Sequence, residues 1–97
     1  MNAQEWLVAN VGKRAQMIRK FMGNPECNLP AGRGRGEKHE DILQAPSIGE
    51  HGWNLYFSCN VWCFNLTDLG TSNGNTATIN CTSGSGNTFR HEFTLLE

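Results

Sequence analysis

The chain has 97 residues, a formal net charge of −1 and 38% hydrophobic residues, among them three Trp, one Tyr and five Phe. This length fits a single domain over residues 1–97 with one modest core, and the aromatic content excludes a disordered class. No apolar run approaches the ~20 residues of a membrane span, and the N-terminus lacks the pattern of a secretory signal. We therefore expect a cytoplasmic protein with reduced cysteines and no membrane partner.

The charges are divided unevenly along the chain. Residues 1–38 hold seven of the eight basic residues and three acids, so this segment carries +4. Residues 39–97 hold one basic residue and six acids and carry −5. This asymmetry allows an anionic partner at one end, head-to-tail self-association, or neutralisation within the fold.

The first predicted element is a helix over about residues 3–22. Asn2 and Glu5 form a capping-box pattern at its start, and Gly23 followed by Pro25 is typical of its end. Apolar residues recur at three- and four-residue spacing and form one stripe, which consists of Leu7, Val8, Val11, Ala15, Ile18 and Met22.

Residues 23–50 are predicted to form a long irregular loop, because they contain three prolines and five glycines. The glycine spacing in residues 31–41 resembles a phosphate loop, but no strand precedes it and no convincing helix follows it. Its cations Arg33, Arg35 and Lys38 are candidate contacts to an anion or a nucleic acid. The acids that follow at once leave a solvated loop as the competing interpretation.

The most apolar stretch is WNLYFSCNVWCFNL, residues 53–66. As one straight strand it would be apolar on both faces. A tight turn around Cys59-Asn60 instead gathers the large apolar residues on one face, with Phe57 facing Trp62 and Trp53 facing Leu66. A β-bulge in a longer strand would shift the phase in the same way, and the pattern favours the hairpin.

Two further strands complete the predicted sheet. The segments TATINCT and TFRHEFTLL alternate, with Cys81 opposite Phe89 and Ile79 opposite His91, and a Leu66–Ala77 register joins them to the hairpin. The sequence therefore predicts an α+β fold. An N-terminal helix packs on one face of a four-stranded antiparallel meander over about residues 51–96, with a long helix-to-sheet loop.

No catalytic residue, metal site or cofactor is predicted. Structural zinc sites usually need two close ligand pairs, and only Cys59 and Cys63 form one. His91 lies one diagonal step from Cys81 on the apolar face, but no third group orients the two, and burial raises the pKa of a thiol. His91 is therefore a candidate core or pocket residue.

By elimination, we expect a small non-enzymatic binding or interaction module whose partner is another protein or, as a homodimer, itself. The candidate contacts are aromatic, Met and Lys side chains on the helix and the far sheet face, namely Trp6, Lys13, Met17, Lys20 and Tyr56. The first alternative is nucleic-acid binding through the helix cations and the Gly/Arg loop. The second is a small-ligand cavity between the helix and the aromatic sheet face.

Overall fold

The computed structural model describes residues 1–24 and 36–96 of the chain. The elements in chain order are α1 (Ala3–Ala9), β1 (Arg14–Gly23), β2 (Glu37–Ile42), β3 (Ser47–Ile48), β4 (Trp53–Phe57), β5 (Asn60–Phe64), β6 (Thr71–Asn73), β7 (Thr76–Thr82) and β8 (Thr88–Leu95). A five-stranded sheet has the order β2-β1-β8-β7-β6, and a three-stranded sheet has the order β3-β4-β5. All the strand pairs are antiparallel.

The helix starts as predicted and ends early. The side chain of Asn2 accepts the N–H of Glu5 at 2.8 Å, and the N–H of Asn2 donates to the Glu5 carboxylate at 2.9 Å. The helix ends at Ala9, and Gly12 then takes a φ of 90° and donates its N–H to the Leu43 carbonyl. The predicted helix over residues 3–22 is therefore wrong beyond residue 9. Within the described residues, α1 is far too short to cross a membrane.

Residues 14–23 form strand β1, which lies between β2 and β8. Ala15 and Met17 alternate with more exposed neighbours and are fully buried, which is the pattern of a strand with one covered face. The same residues also fit a helical stripe, so the local pattern is ambiguous. Pairing along both edges of the strand decides the outcome, because tertiary context overrides weak local propensity.

The predicted four-stranded meander is also wrong, because its four strands lie in two different sheets. β4 and β5 form the predicted hairpin, with Trp53, Leu55, Phe57 and Phe64 buried on the predicted core face. However, the turn is Ser58-Cys59 and Trp53 pairs with Phe64, whereas Leu66 lies beyond β5 and is exposed. β5 does not continue to β7, whose neighbours are β6 and β8. Besides β1, the strands that were not predicted are β6, which is too short to show a period, and β2 and β3, which lie in the segment predicted to be a loop.

The β7–β8 pair has the predicted register. Ile79 lies opposite His91, and Cys81 lies opposite Phe89. Because the sequence alternates cleanly in both strands, a slip of one residue would turn the apolar side chains of one strand to the opposite face.

The core lies between the two sheets, and α1 covers the β6–β7 end of the larger sheet. The rings of Phe57 and Phe93 meet edge to face across the sheets, with centroids 5.7 Å apart. The buried apolar side chains are Ala3, Trp6, Leu7, Ala15, Met17, Leu43, Trp53, Leu55, Phe57, Phe64, Ala77, Ile79 and Phe93. The observed architecture is thus a two-layer β-structure with one short helix.

Candidate functional site

An open cleft of about 640 Å³ lies at one end of the space between the two sheets. One wall comes from the β3–β4 turn and the end of β5, and the other comes from the end of β7 and its turn towards β8. The charged, aromatic and thiol side chains that line it are Arg19, Glu50, His51, Cys63, Phe64, Asp68, Cys81 and Phe89. This volume is within the range of small-molecule sites.

In the first wall, a glycine allows the β3–β4 turn to lie directly against the end of β5. A Cβ atom on Gly52 would lie 2.5 Å from the Phe64 carbonyl oxygen, so no larger residue fits there without movement. The N–H of Gly49 donates to the Gly52 carbonyl at 2.9 Å and closes the β3–β4 turn. On the second wall, the N–H of Ser83 donates to the Asn87 carbonyl at 2.8 Å. Both rims of the cleft are therefore tied by backbone hydrogen bonds.

Arg19 is the one cation among the residues that line the cleft in the described part of the chain. It lies on the covered face of β1, opposite His91 of β8. Its guanidinium carbon is 3.8 Å from the centroid of the Phe89 ring and 5.7 Å from that of Trp62. The geometry is that of a cation–π contact, which holds the guanidinium in place and leaves its N–H groups available.

The hydrogen-bonding capacity of Arg19 is only partly used. Its Nη1 is 3.7 Å from the Oε1 atom of Glu37, and its side chain is 28% exposed. Its Nε atom is buried without a hydrogen-bond partner in the described residues. A guanidinium carries five N–H donors, and because the Nε–H is buried, the donors left for a group in the cleft are those of the terminal Nη atoms.

A second polar cluster lies where β2 meets the β4–β5 turn. His39 Nδ1 is 3.3 Å from Ser58 Oγ, and His39 Nε2 is 3.5 Å from Glu37 Oε2. The N–H of Ser58 donates to Asp41 Oδ2 at 2.8 Å. This order of acid, imidazole and hydroxyl resembles that of a hydrolase triad. However, Ser58 does not line the cleft, and the contacts of the cluster hold the turn against β2.

His91 lies behind the cleft, in the core. Its ring contacts those of Trp62 and Phe64, with centroids 5.8 and 5.1 Å away. Burial, and then the charge of Arg19, lower the pKa of His91 to about 4. Cys81 Sγ is 3.9 Å from His91 Nδ1, and burial, followed by the charge of Asp68, raises the pKa of this thiol. At neutral pH the two groups are therefore an uncharged thiol and an uncharged imidazole.

The residues predicted as partner contacts do not form one surface. Trp6 and Met17 are 3% and 0% exposed, and Trp6 Nε1 donates to the Gly74 carbonyl at 2.9 Å. Lys13 is exposed in the turn after α1. Lys20 is on the outer face of the larger sheet, whereas Tyr56, 47% exposed, is on the outer face of the smaller one.

The residues predicted as anion contacts are separated from the cleft or not described. Lys38 is exposed on β2, next to Glu37. Arg33 and Arg35 lie outside the described residues. Arg19 was not predicted as a site residue, because a helix over residues 3–22 gives it no special place. A strand period over residues 15–21 would have placed it on the covered face, where a lone cation is conspicuous.

No group of three or more His, Cys, Asp or Glu residues in the described ranges is arranged to hold a metal ion. No protein-family model matches the chain, and no curated protein or solved structure matches it significantly.

Proposed function

We propose that the protein is a non-enzymatic binding module that holds a small molecule carrying one carboxylate or phosphate group in the cleft beside Arg19. The observation that carries the proposal is the partly buried guanidinium with unused N–H donors. A charge withdrawn from water is costly unless it is paired, and the contact with Glu37 at 3.7 Å is too long for a strong hydrogen bond. An anionic group in the cleft would supply charge-assisted hydrogen bonds to this cation.

The other lining residues restrict the rest of the ligand. Phe64 and Phe89 offer apolar surface, and Asn54 and Ser83 offer polar groups at the two rims. The acids Glu50 and Asp68 also line the cleft, which disfavours a polyanion. Asp68 is already engaged, since its Oδ2 accepts the Asn65 N–H at 3.0 Å. These features support a small, singly anionic ligand with an apolar part.

The proposal is tested by titrating the ¹⁵N-labelled protein with benzoate, phenyl phosphate and inorganic phosphate. We expect saturable shifts of the Arg19 Nε–H signal and of the Ser83 and Phe89 amides. Arg19→Gln should weaken binding by about ten- to a hundredfold, which corresponds to the loss of a charge-assisted hydrogen bond.

Lys20→Gln is the matched control, because Lys20 is the next residue on the same strand and lies on the opposite face. This variant should bind each probe as the unchanged protein does. An equal loss of binding in both variants would mean that general charge attraction, and not the cleft, binds the anion. No saturable shift with any of the three probes would contradict the proposal.

Nucleic-acid binding by the basic half of the chain is the alternative, and it has less support from the described residues. Lys20 Nζ is 3.1 Å from Glu92, and Arg90 is 3.9 Å from the same carboxylate group. Lys38 follows Glu37 on β2, and Glu40 and Asp41 lie further along the same strand. Affinity for an oligonucleotide that falls steeply with added salt would favour this alternative over the cleft.

A further inference from the structure

We propose that β5 is a self-association edge, which pairs with the β5 strand of a second copy of the chain to form a two-fold symmetric dimer. The three-stranded sheets of the two copies then join into one six-stranded sheet. The dimer does not require a ligand in the cleft, although Cys63 of β5 also lines the cleft.

The described part of the chain leaves four strand edges, and three of them are protected. β3 and β6 are two and three residues long. β2 is six residues long, with the sequence EKHEDI, so it carries four charged side chains. Shortness and charge are the usual means by which natural sheets prevent edge-to-edge pairing.

β5 has neither protection. It is a five-residue strand with the sequence NVWCF, which contains no charged residue and no proline. The hairpin that includes it has no charge from residue 53 to residue 66. Two copies of this edge can therefore approach each other without like-charge repulsion, whereas two β2 edges could not.

The backbone of β5 offers unpaired groups at this edge. A two-residue turn is closed by a hydrogen-bonded pair, here Phe57 and Asn60. Because such pairs alternate along an antiparallel ladder, Val61 and Cys63 direct their N–H and C=O groups away from β4. No hydrogen bond from these four groups to another described residue exists outside the β4–β5 ladder.

One register uses all four groups. With the two-fold axis at Trp62, Val61 lies opposite Cys63 of the second copy, and each such pair makes two hydrogen bonds. A register with the two-fold axis at Val61 would leave only one pair of residues joined by two hydrogen bonds. A shift centred on Cys63 would need Asn65, whose N–H and C=O groups are already bonded to Asp68.

The side chains at this register are compatible with the pairing. Val61 is 59% exposed and lies on the outer face beside Tyr56, its partner in β4. In the dimer, the side chains of Val61 and of Cys63 from the second copy lie side by side on this face. Val61 thereby gains cover from a neighbour that is also uncharged.

The experiment is sedimentation of the full chain over a wide concentration range, with two variants at one position. Val61→Pro removes the outward N–H and keeps the bonds to β4, because proline is tolerated where the N–H of an edge strand faces away from its sheet. We expect a dimer for the unchanged chain and at least about tenfold weaker dimerisation for Val61→Pro. Val61→Thr keeps the N–H and a branched side chain, and it should dimerise as the unchanged chain does.

Hydrogen exchange of the unchanged chain gives the second readout and does not depend on the folding of any variant. The amides of Val61 and Cys63 should be protected at high protein concentration and should exchange quickly at low concentration. Amides of β2 should show no such dependence. A monomer at every concentration, or a dimer in which Val61 and Cys63 exchange equally fast at all concentrations, would overturn the proposal.

Discussion

His91 shows how a titratable residue can occupy the space between two sheets. It is 3% exposed and is surrounded by the rings of Trp62 and Phe64, the thiol of Cys81 and the guanidinium of Arg19 opposite. Protonation would place a second cation beside Arg19 in a site with little access to water. The folded state therefore favours the neutral imidazole.

This predicts a loss of stability in mild acid. The pKa of His91 is about 4 in the folded chain, below the ordinary value of 6.5, so the unfolded chain binds more protons between these pH values. The stability that neutral His91 contributes to the fold is fully present above pH 6.5. It decreases as the pH falls towards 4, by roughly 3 kcal/mol in total. Urea unfolding at several pH values measures it. His91→Gln should flatten the dependence, and His51→Gln, at an exposed position, should leave it unchanged.

Arg19 is a residue of the cleft whose partly buried position the sequence did not predict. A cation in a segment read as a helix belongs to a solvated face, and nothing in its neighbours contradicts that interpretation. In strand β1 the same residue follows Ala15 and Met17 on the covered face and meets Phe89. The position of a single side chain thus depends on which period the backbone adopts.

At the scale of elements, the β4–β5 hairpin was predicted from the phase of its apolar residues. The turn was predicted one position too late, at Cys59-Asn60, because no glycine indicates where it lies. Ser58 and Cys59 have φ values of 53° and 61°, which a two-residue turn of type I′ requires. The contacts of Ser58 with Asp41 and His39 help to hold this unfavourable backbone. A register shifted by two residues is the result of placing the turn one position too late.

The turn gives a prediction with opposite signs for two substitutions. Cys59→Gly should raise the free energy of unfolding by about 1 kcal/mol, because glycine adopts positive φ without steric cost. Cys59→Val should lower the free energy of unfolding by about as much, since a branched side chain is the worst suited to this conformation. Chemical denaturation measures both. Equal stability of the two variants would mean that the turn is not strained.

In the first quarter of the chain, the start of α1 was predicted correctly, but the end of the helix and the strand β1 were not. A capping box is a local motif, and the residues that make it are three positions apart, so the start of α1 was correct. The end of the helix depends on Gly12 bonding to Leu43, which is a contact from another part of the chain. No pattern within residues 3–22 encodes that partner.

At the scale of the whole molecule, Gly70 lies where α1, β6 and β7 meet. Its φ is 68°, and a Cβ atom there would clash with the carbonyl oxygen of Thr78 and lie 2.7 Å from the Cβ atom of Ala3. Gly74 has a similar φ of 61° and nothing within 4 Å of a Cβ atom. A substitution at Gly74 therefore adds backbone strain alone, whereas a substitution at Gly70 adds both backbone strain and steric crowding.

We expect Gly74→Ala to lower the free energy of unfolding by about 1 kcal/mol, through the backbone alone. Gly70→Ala should lower it by several kcal/mol, because the helix and the larger sheet must also move apart. Urea unfolding of both variants provides the comparison. Similar losses of stability in the two variants would show that α1 moves away without cost and does little to stabilise the sheet.

Local alternation was sufficient to place most of the core residues of β4, β5, β7 and β8 on the correct faces. The assignment of strands to two sheets was not accessible, because it depends on which strands pair over long distances. β1 could have paired with several strands of similar pattern. The observed strand order is the one in which the apolar face of each sheet is covered by the other sheet.

The position of β1 has a consequence for how the chain folds. Met17 of β1 pairs with Phe93 of β8, so the interior of the larger sheet joins segments that are far apart in the chain. Such pairing requires a large loop to close before its contacts can form, which slows folding. During synthesis, β1 must wait for β8 to leave the ribosome, and meanwhile the uncharged β4–β5 hairpin is exposed. The interval before β8 arrives is therefore when this chain is most vulnerable to aggregation.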